Sequence, residues 1–276
     1  MASPRDTDKR VHPLPDARED VRRIQHTRDT PQTRSPTYRL AFADNDFLCR
    51  EELRPVRLQL ELLKPQLEMD ARGIESTVVM FGGARIPAPG QSDPNKPKAL
   101  GDLSHFYEEA RKFARLVTEA SASTGFRQNV IVTGGGPGVM EAGNMGATEA
   151  DGPSMGLNIV LPHESAPNPY VTPDLSFNFH YFAIRKMHFL MRARVITVFP
   201  GGFGTLDELF EALTLIQTKR MAPVPILLFG RAFWDGIINW QALKDAGTIG
   251  DADLELFHFV ETAEEAFAHI PPLEET

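Results

Sequence analysis

Three glycines, Gly201, Gly202 and Gly204, stand within four residues, directly ahead of Thr205, Asp207, Glu208 and Glu211. Glycine permits sharp backbone turns, and a helix that begins at such a turn presents unpaired amides and the positive end of its dipole. That combination suits an anion, and phosphate is the common one. The acids have a plainer use as well. Thr205-x-x-Glu208 has the spacing of a capping box, in which the acid bonds back to the cap amide, and Asp207 and Glu211 suit a helix start as dipole-compensating or solvated acids. Upstream, Arg185 and Arg192 are seven residues apart and share a helix face, with His188 between them and Lys186 adjacent. An arginine fork grips phosphate or carboxylate oxygens at two points, although the same charges could form an ordinary solvated face.

These residues need a strand, a loop and a helix to position them. Residues 195–199 are β-branched and aromatic, Pro200 ends that strand, and Thr205 is expected to open the helix. Leu206, Leu209, Phe210, Leu213 and Ile216 recur at three- and four-residue spacing and predict one core-facing stripe. The same alternation runs back along the chain. Strands are expected at 77–81, 129–133, 156–161, 176–179, 225–229 and 256–260, and helices at 103–122, 139–150, 181–192, 232–243 and 263–269. Phe106, Ala110, Phe113, Leu116 and Val117 face inward on the first of these helices. Pro137 falls just inside the start of the second, where its missing amide hydrogen costs nothing. The pattern predicts an α/β fold, a Rossmann-like doubly wound parallel sheet with helices on both faces. Ligands in such sheets sit beyond the carboxyl ends of the strands. Three glycine-rich loops fall there, after Phe81, after Thr133 and after Phe199, and one shared pocket accounts for all three.

Residues 1–37 are polar, with prolines and mixed charge, and are expected to form a disordered or loosely docked tail. Residues 38–75 carry Leu53, Val56, Leu60, Leu63 and Leu67 at helical spacing, interrupted by Pro55 and Pro65. They predict one or two helices packed ahead of the main domain, 76–276.

Several chemistries fail on pattern. There is no GxxxxGK[ST] loop, and Gly134-x-Gly136 lacks the third glycine of a dinucleotide site. His163-Glu164 has no histidine four residues on, and no serine sits in a G-x-S-x-G elbow. Cys49 is the single cysteine, so neither an intrachain disulfide nor a cysteine zinc site can form. A net charge of −8 argues against a general nucleic-acid binder. No apolar run is long enough to span a membrane and no secretory signal is visible, so a cytoplasmic protein is expected, with no metal.

The segment Pro200-Gly201-Gly202-Phe203-Gly204-Thr205-Leu206-Asp207-Glu208 resembles the PGGxGTxxE signature of the LONELY GUY (LOG) family. Gly134-Gly135-Gly136-Pro137-Gly138-Val139-Met140-Glu141-Ala142 is similar to its GGGxGxMxA motif, and Arg185-Lys186-Met187 to its RKxxM-type helix. The resemblance covers 76–269. It implies a Rossmann-like enzyme, a homodimer or higher homo-oligomer, that hydrolyses the N-glycosidic bond of nucleoside 5′-monophosphates without a cofactor. Cytokinin riboside monophosphate or AMP would give free base and ribose 5-phosphate. By motif, the resemblance puts the catalytic pair on Arg185 and Glu208. It puts the phosphate loop on Gly201, Gly202, Gly204 and Thr205, and further substrate contacts on Gly135, Gly136, Gly138, Glu141 and Lys186. The older family label, possible lysine decarboxylase, has no support here, because no pyridoxal-binding lysine context can be identified. The Phe81-Gly82-Gly83-Ala84-Arg85 loop departs from the CGSSxG form of the short plant-type enzymes. That loop and the segment 1–75 resemble the longer bacterial branch. The alternative on the same fold is a non-catalytic nucleotide or molybdenum-cofactor carrier.

Overall fold

A computed structural model describes residues 16–91, 95, 97–162 and 166–274. Expectations for residues 1–15 and for His163 and Glu164 lie outside the described residues. The chain divides into two compact units, Met1–Leu63 and Lys64–Thr276.

In the first unit, α1 (Ala17–Ile24) falls inside the expected tail. Asp16 caps it by accepting from the Arg18 amide (2.8 Å), with acids in its first turn and Arg22 and Arg23 in its last. Local capping and dipole compensation account for this helix. It buries no residue, as its polar composition requires. Asp44 caps α2 (Asn45–Leu48) through the amides of Asp46 and Phe47. The helix α3 (Arg54–Ala71) is single and continuous. Pro55 falls in its first turn, where no amide is needed, and the helix absorbs Pro65 in its interior. The leucine stripe expected to pack is exposed at Val56, Leu60, Leu63 and Leu67; Pro65 and Met69 are the buried residues.

The second unit holds seven parallel strands: β1 (Thr77–Phe81), β2 (Val130–Thr133), β3 (Ser154–Ile159), β4 (Ser176–Phe179), β5 (Ala193–Val198), β6 (Ile226–Phe229) and β7 (His258–Val260). Their spatial order is β4-β3-β2-β1-β5-β6-β7. The chain steps outward from β1 to β4, returns to place β5 on the other side of β1, and continues outward to β7. Winding therefore reverses between β1 and β5, which opens a crevice at their carboxyl ends. β1, β2 and β6 are buried along their whole length, which explains their nearly continuous apolar sequences.

The connecting helices are α4 (Lys98–Asp102), α5 (His105–Ser121), α6 (Val139–Glu149), α7 (Phe182–Met191), α8 (Phe203–Gln217), α9 (Arg231–Ile237), α10 (Trp240–Asp245) and α11 (Ala263–Ala268). One core gathers Phe106, Phe113, Ala142 and Ala263 from α5, α6 and α11; the other gathers Phe189, Leu209, Ile216 and Trp234 from α7, α8 and α9. Several features differ from expectation. The helix expected at 232–243 breaks at Ile238, and Asn239 caps the second piece by accepting from the Ala242 amide (2.9 Å). Pro137 lies outside α6, whose cap is Gly138. α8 opens at Phe203 with Gly202 as its cap, so Thr205 is a buried residue inside the helix and no capping box forms. Phe210 is 38% exposed and leaves the inward stripe, while Leu209, Ala212 and Ile216 fill it.

Candidate active site

The three glycine loops are bonded to one another. The Gly83 amide donates to the Pro200 carbonyl (2.9 Å), and the Val139 amide donates to the Gly83 carbonyl (3.3 Å). Gly138 has a φ of 70°, and a side chain there would collide with the backbone of Gly83 and Ala84. Gly135, with a φ of 75°, would collide with Asn158. These two positions demand glycine for both conformation and space.

A buried polar network holds the second loop from beneath. The Gly135 amide donates to Thr133 Oγ1 (3.0 Å), and Thr133 donates to Asn144 Oδ1 (2.7 Å). Asn168 Nδ2 donates to that same Asn144 oxygen (2.9 Å) and to the carbonyls of Gly135 (3.2 Å) and Gly136 (3.0 Å). Asn144 Nδ2 closes the network on Ser154 Oγ (2.9 Å). Satisfied networks of this kind fix one backbone geometry.

The third loop is different. A Cβ at Gly202 or Gly204 would meet nothing within 4 Å. Internal packing therefore does not require glycine at these positions. α8 has no side-chain cap at Gly202, and among the described residues no side chain is seen to accept from its first amides.

Arg185 and Glu208 meet beside these loops. Arg185 is buried on α7; its Nε donates to the Leu157 carbonyl (2.6 Å) and its Nη1 lies 3.6 Å from Glu208 Oε1 on α8. The guanidinium also sits over the Phe189 ring (5.2 Å) and packs against Gly134. The Glu208 side chain is 15% exposed. Burial pushes its pKa up to about 7 against the opposing pull of Arg185, and the nearby Asp207 and Glu211 add to the rise. A carboxyl poised near neutrality beside a cation has the chemistry of a general base or of a counter-charge to a developing cation.

Residues 140–270 match the family described as "Possible lysine decarboxylase". A bifunctional cytokinin biosynthesis protein of Fusarium pseudograminearum (strain CS3096) is 27% identical over 214 residues, 68% of this chain. The match spans 41% of that relative's length. The family match covers just under half of the chain. Among solved structures, a structural-genomics target is 22% identical over 70% of this chain and 96% of its own, with a TM-score of 0.46. The molybdenum cofactor binding protein of the phototrophic bacterium Rippkaea orientalis is 19% identical over 70% and 94%, with a TM-score of 0.44.

Of the positions that the LOG motifs single out, the fold brings Arg185 and Glu208 together and sets Gly201, Gly202, Gly204 and Thr205 at the start of α8. Gly135, Gly136 and Gly138 form the adjoining loop, and Glu141 lies in the first turn of α6. Lys186 is committed elsewhere: its Nζ bonds Asp207 (2.9 Å) and Glu211 (3.0 Å), tying α7 to α8. Arg192 follows the last turn of α7 and bonds Asp70 and the Ile74 carbonyl, and His188 is buried against the Phe179 ring (5.5 Å). The LOG motifs give no hint of Tyr107, Asn144 or Asn168. Asn144 alone carries a signal, as a polar residue in an otherwise small and apolar helix segment. A separate cleft of about 750 Å³, with Trp240, Phe257 and Phe259 in its wall, shares no residue with the glycine loops.

The raised pKa of Glu208 has a stability consequence. The fold favours the protonated acid, so its contribution is fully present below about pH 4.5 and is lost as pH rises through about 7. Glu208→Gln removes that loss. From about pH 5 to about pH 8, urea unfolding should find the variant gaining roughly 2–3 kcal/mol on the parent. A constant difference across that range would mean that Glu208 titrates normally.

Proposed function

We propose that the chain hydrolyses the N-glycosidic bond of nucleoside 5′-monophosphates, with AMP or a cytokinin riboside monophosphate as substrate and free base and ribose 5-phosphate as products. The observation that carries this reading is the buried Arg185–Glu208 pair beside the uncapped start of α8. The family match over 140–270 and the relative's name support the same reaction class.

The 5′-phosphate docks on the amides at Gly202 to Thr205, where the helix dipole favours it and the bare glycines leave room. Anchored there, the sugar reaches Glu208. Breaking the bond between C1′ and the base nitrogen builds positive charge on the ribose, and the ionised carboxylate stabilises it. Glu208 then takes a proton from water as the water oxygen bonds to C1′; the C1′–N bond breaks, the base leaves with its electron pair and takes a proton from solvent, and Glu208 returns its own proton to solvent. Arg185 keeps Glu208 partly ionised despite burial and orients the bound nucleotide. The phosphate contributes binding energy to positioning, so free nucleosides are poor substrates. The chain works in the cytoplasm as a homodimer or higher assembly. Exposed Phe182, Met187, Met191, Phe203 and Phe210 on α7 and α8 suit such contacts. No described helix is long and apolar enough to cross a membrane.

A screen of nucleoside monophosphates scored by release of free base tests the activity. Glu208→Gln should lower turnover roughly 10²–10⁴-fold with folding intact. A tightly bound nucleotide that is never cleaved would favour the carrier alternative. The parent's kcat/KM should rise with pH through about 7 as Glu208 ionises. Because Arg185 pulls that pKa down, Arg185→Met should move the acid limb to higher pH; an unmoved limb would assign it to another group. Gly204→Ala should raise helix stability by roughly 0.5–1 kcal/mol and still weaken AMP binding, since its Cβ fills space the phosphate needs. Unchanged affinity would remove the phosphate from that loop.

A further inference from the structure

Tyr107 is buried in the first turn of α5, and its hydroxyl donates to Glu141 Oε1 at 3.0 Å. The two residues are 34 positions apart, yet both stand near helix starts, α5 and α6, at the end of the sheet where the glycine loops meet. Among the described residues this is the one hydrogen bond that the Glu141 carboxylate accepts. A tie between neighbouring helices could be made by any polar pair. Here it is made by a phenol against an acid that follows the Gly134–Gly138 loop by three residues.

We infer that Tyr107 is a positioning residue that orients Glu141 to bind the ribose 2′- and 3′-hydroxyls, and so makes the site selective for ribonucleotides over 2′-deoxyribonucleotides. The inference rests on the nucleotide reading of the site. A phenol has one proton to donate. Spending it on Oε1 fixes the carboxylate plane and leaves acceptor positions for a ligand. A vicinal diol supplies two donors to such a carboxylate, and a 2′-deoxyribose supplies one. A site built to accept a hydroxyl rejects the analogue lacking it, because the acceptor stays unpaired. Burial and the adjacent acid raise the Tyr107 pKa, so the hydroxyl remains a donor across the working pH range.

The experiment compares parent and Tyr107→Phe with AMP and 2′-deoxy-AMP, by kcat/KM and by calorimetric affinity on the Glu208→Gln background. The phenylalanine keeps the ring in the core, and a thermal melt checks folding. The expected result is a roughly tenfold loss for AMP, carried by KM and affinity, with a smaller loss of about two- to threefold for 2′-deoxy-AMP, which keeps only its 3′-hydroxyl. Equal losses for both nucleotides would reduce Tyr107 to a helix tie and overturn the inference, as would no loss for either. If the parent binds and cleaves neither nucleotide, the proposed function falls and takes this inference with it. If it prefers AMP and Tyr107→Phe keeps that preference intact, the inference alone fails.

Discussion

A carboxylate and a guanidinium, both largely withdrawn from water at the carboxyl edge of a parallel sheet, set the terms for the rest of this site. Removing either charge from water is costly, and their mutual attraction offsets the cost only when the geometry is fixed. Arg185 is fixed from three directions, by the Leu157 carbonyl, the Phe189 ring and Glu208. Glu208 has fewer supports. Its net balance favours the proton, which is why its pKa stands near neutrality and not in the usual carboxylate range. Asp207 and Glu211 add to that rise, yet Lys186 engages both and limits their effect. A side chain held at this cost to stability is the kind found where chemistry is done.

The topology explains why the pair stands where it does. β5 returns to the opposite side of β1, so consecutive loops separate at their carboxyl ends and leave a crevice. The loop after β1 bridges it, bonded to Pro200 on one side and to Val139 on the other. α7 and α8 bring Arg185 and Glu208 together, and α5 and α6 bring Tyr107 and Glu141 together. The second loop is rigid because Asn168 holds two of its carbonyls and Thr133 one of its amides. In the third, Gly201 packs against Thr205, while Gly202 and Gly204 have open space where a side chain would stand.

Much of this is legible in the chain. Nearly continuous apolar runs such as Thr77–Phe81 and Ile226–Phe229 mark buried parallel strands, and the glycine clusters mark where they end. The pairing of Arg185 with Glu208 comes from motif order, since spacing alone favours a cap for Glu208. Sequence misplaces the start of α8 because threonine invites a cap assignment; here the hydroxyl of Thr205 is buried inside the helix against Gly201. The leucines of α3 recur at helical spacing, which identifies a face but not its partner. Tyr107 and Asn168 are invisible for a third reason. Each acts on a residue more than thirty positions away, and no local pattern records such a contact.

A crystal structure of the Glu208→Gln variant with AMP bound tests the central claim most directly. The account predicts the phosphate on the amides at Gly202 to Thr205 and the ribose between residues 141 and 208. The side chain at position 208 should then lie beside the anomeric carbon or bond a water next to it. A nucleotide bound elsewhere, or one seated on those amides with its sugar turned away from residue 208, would contradict it.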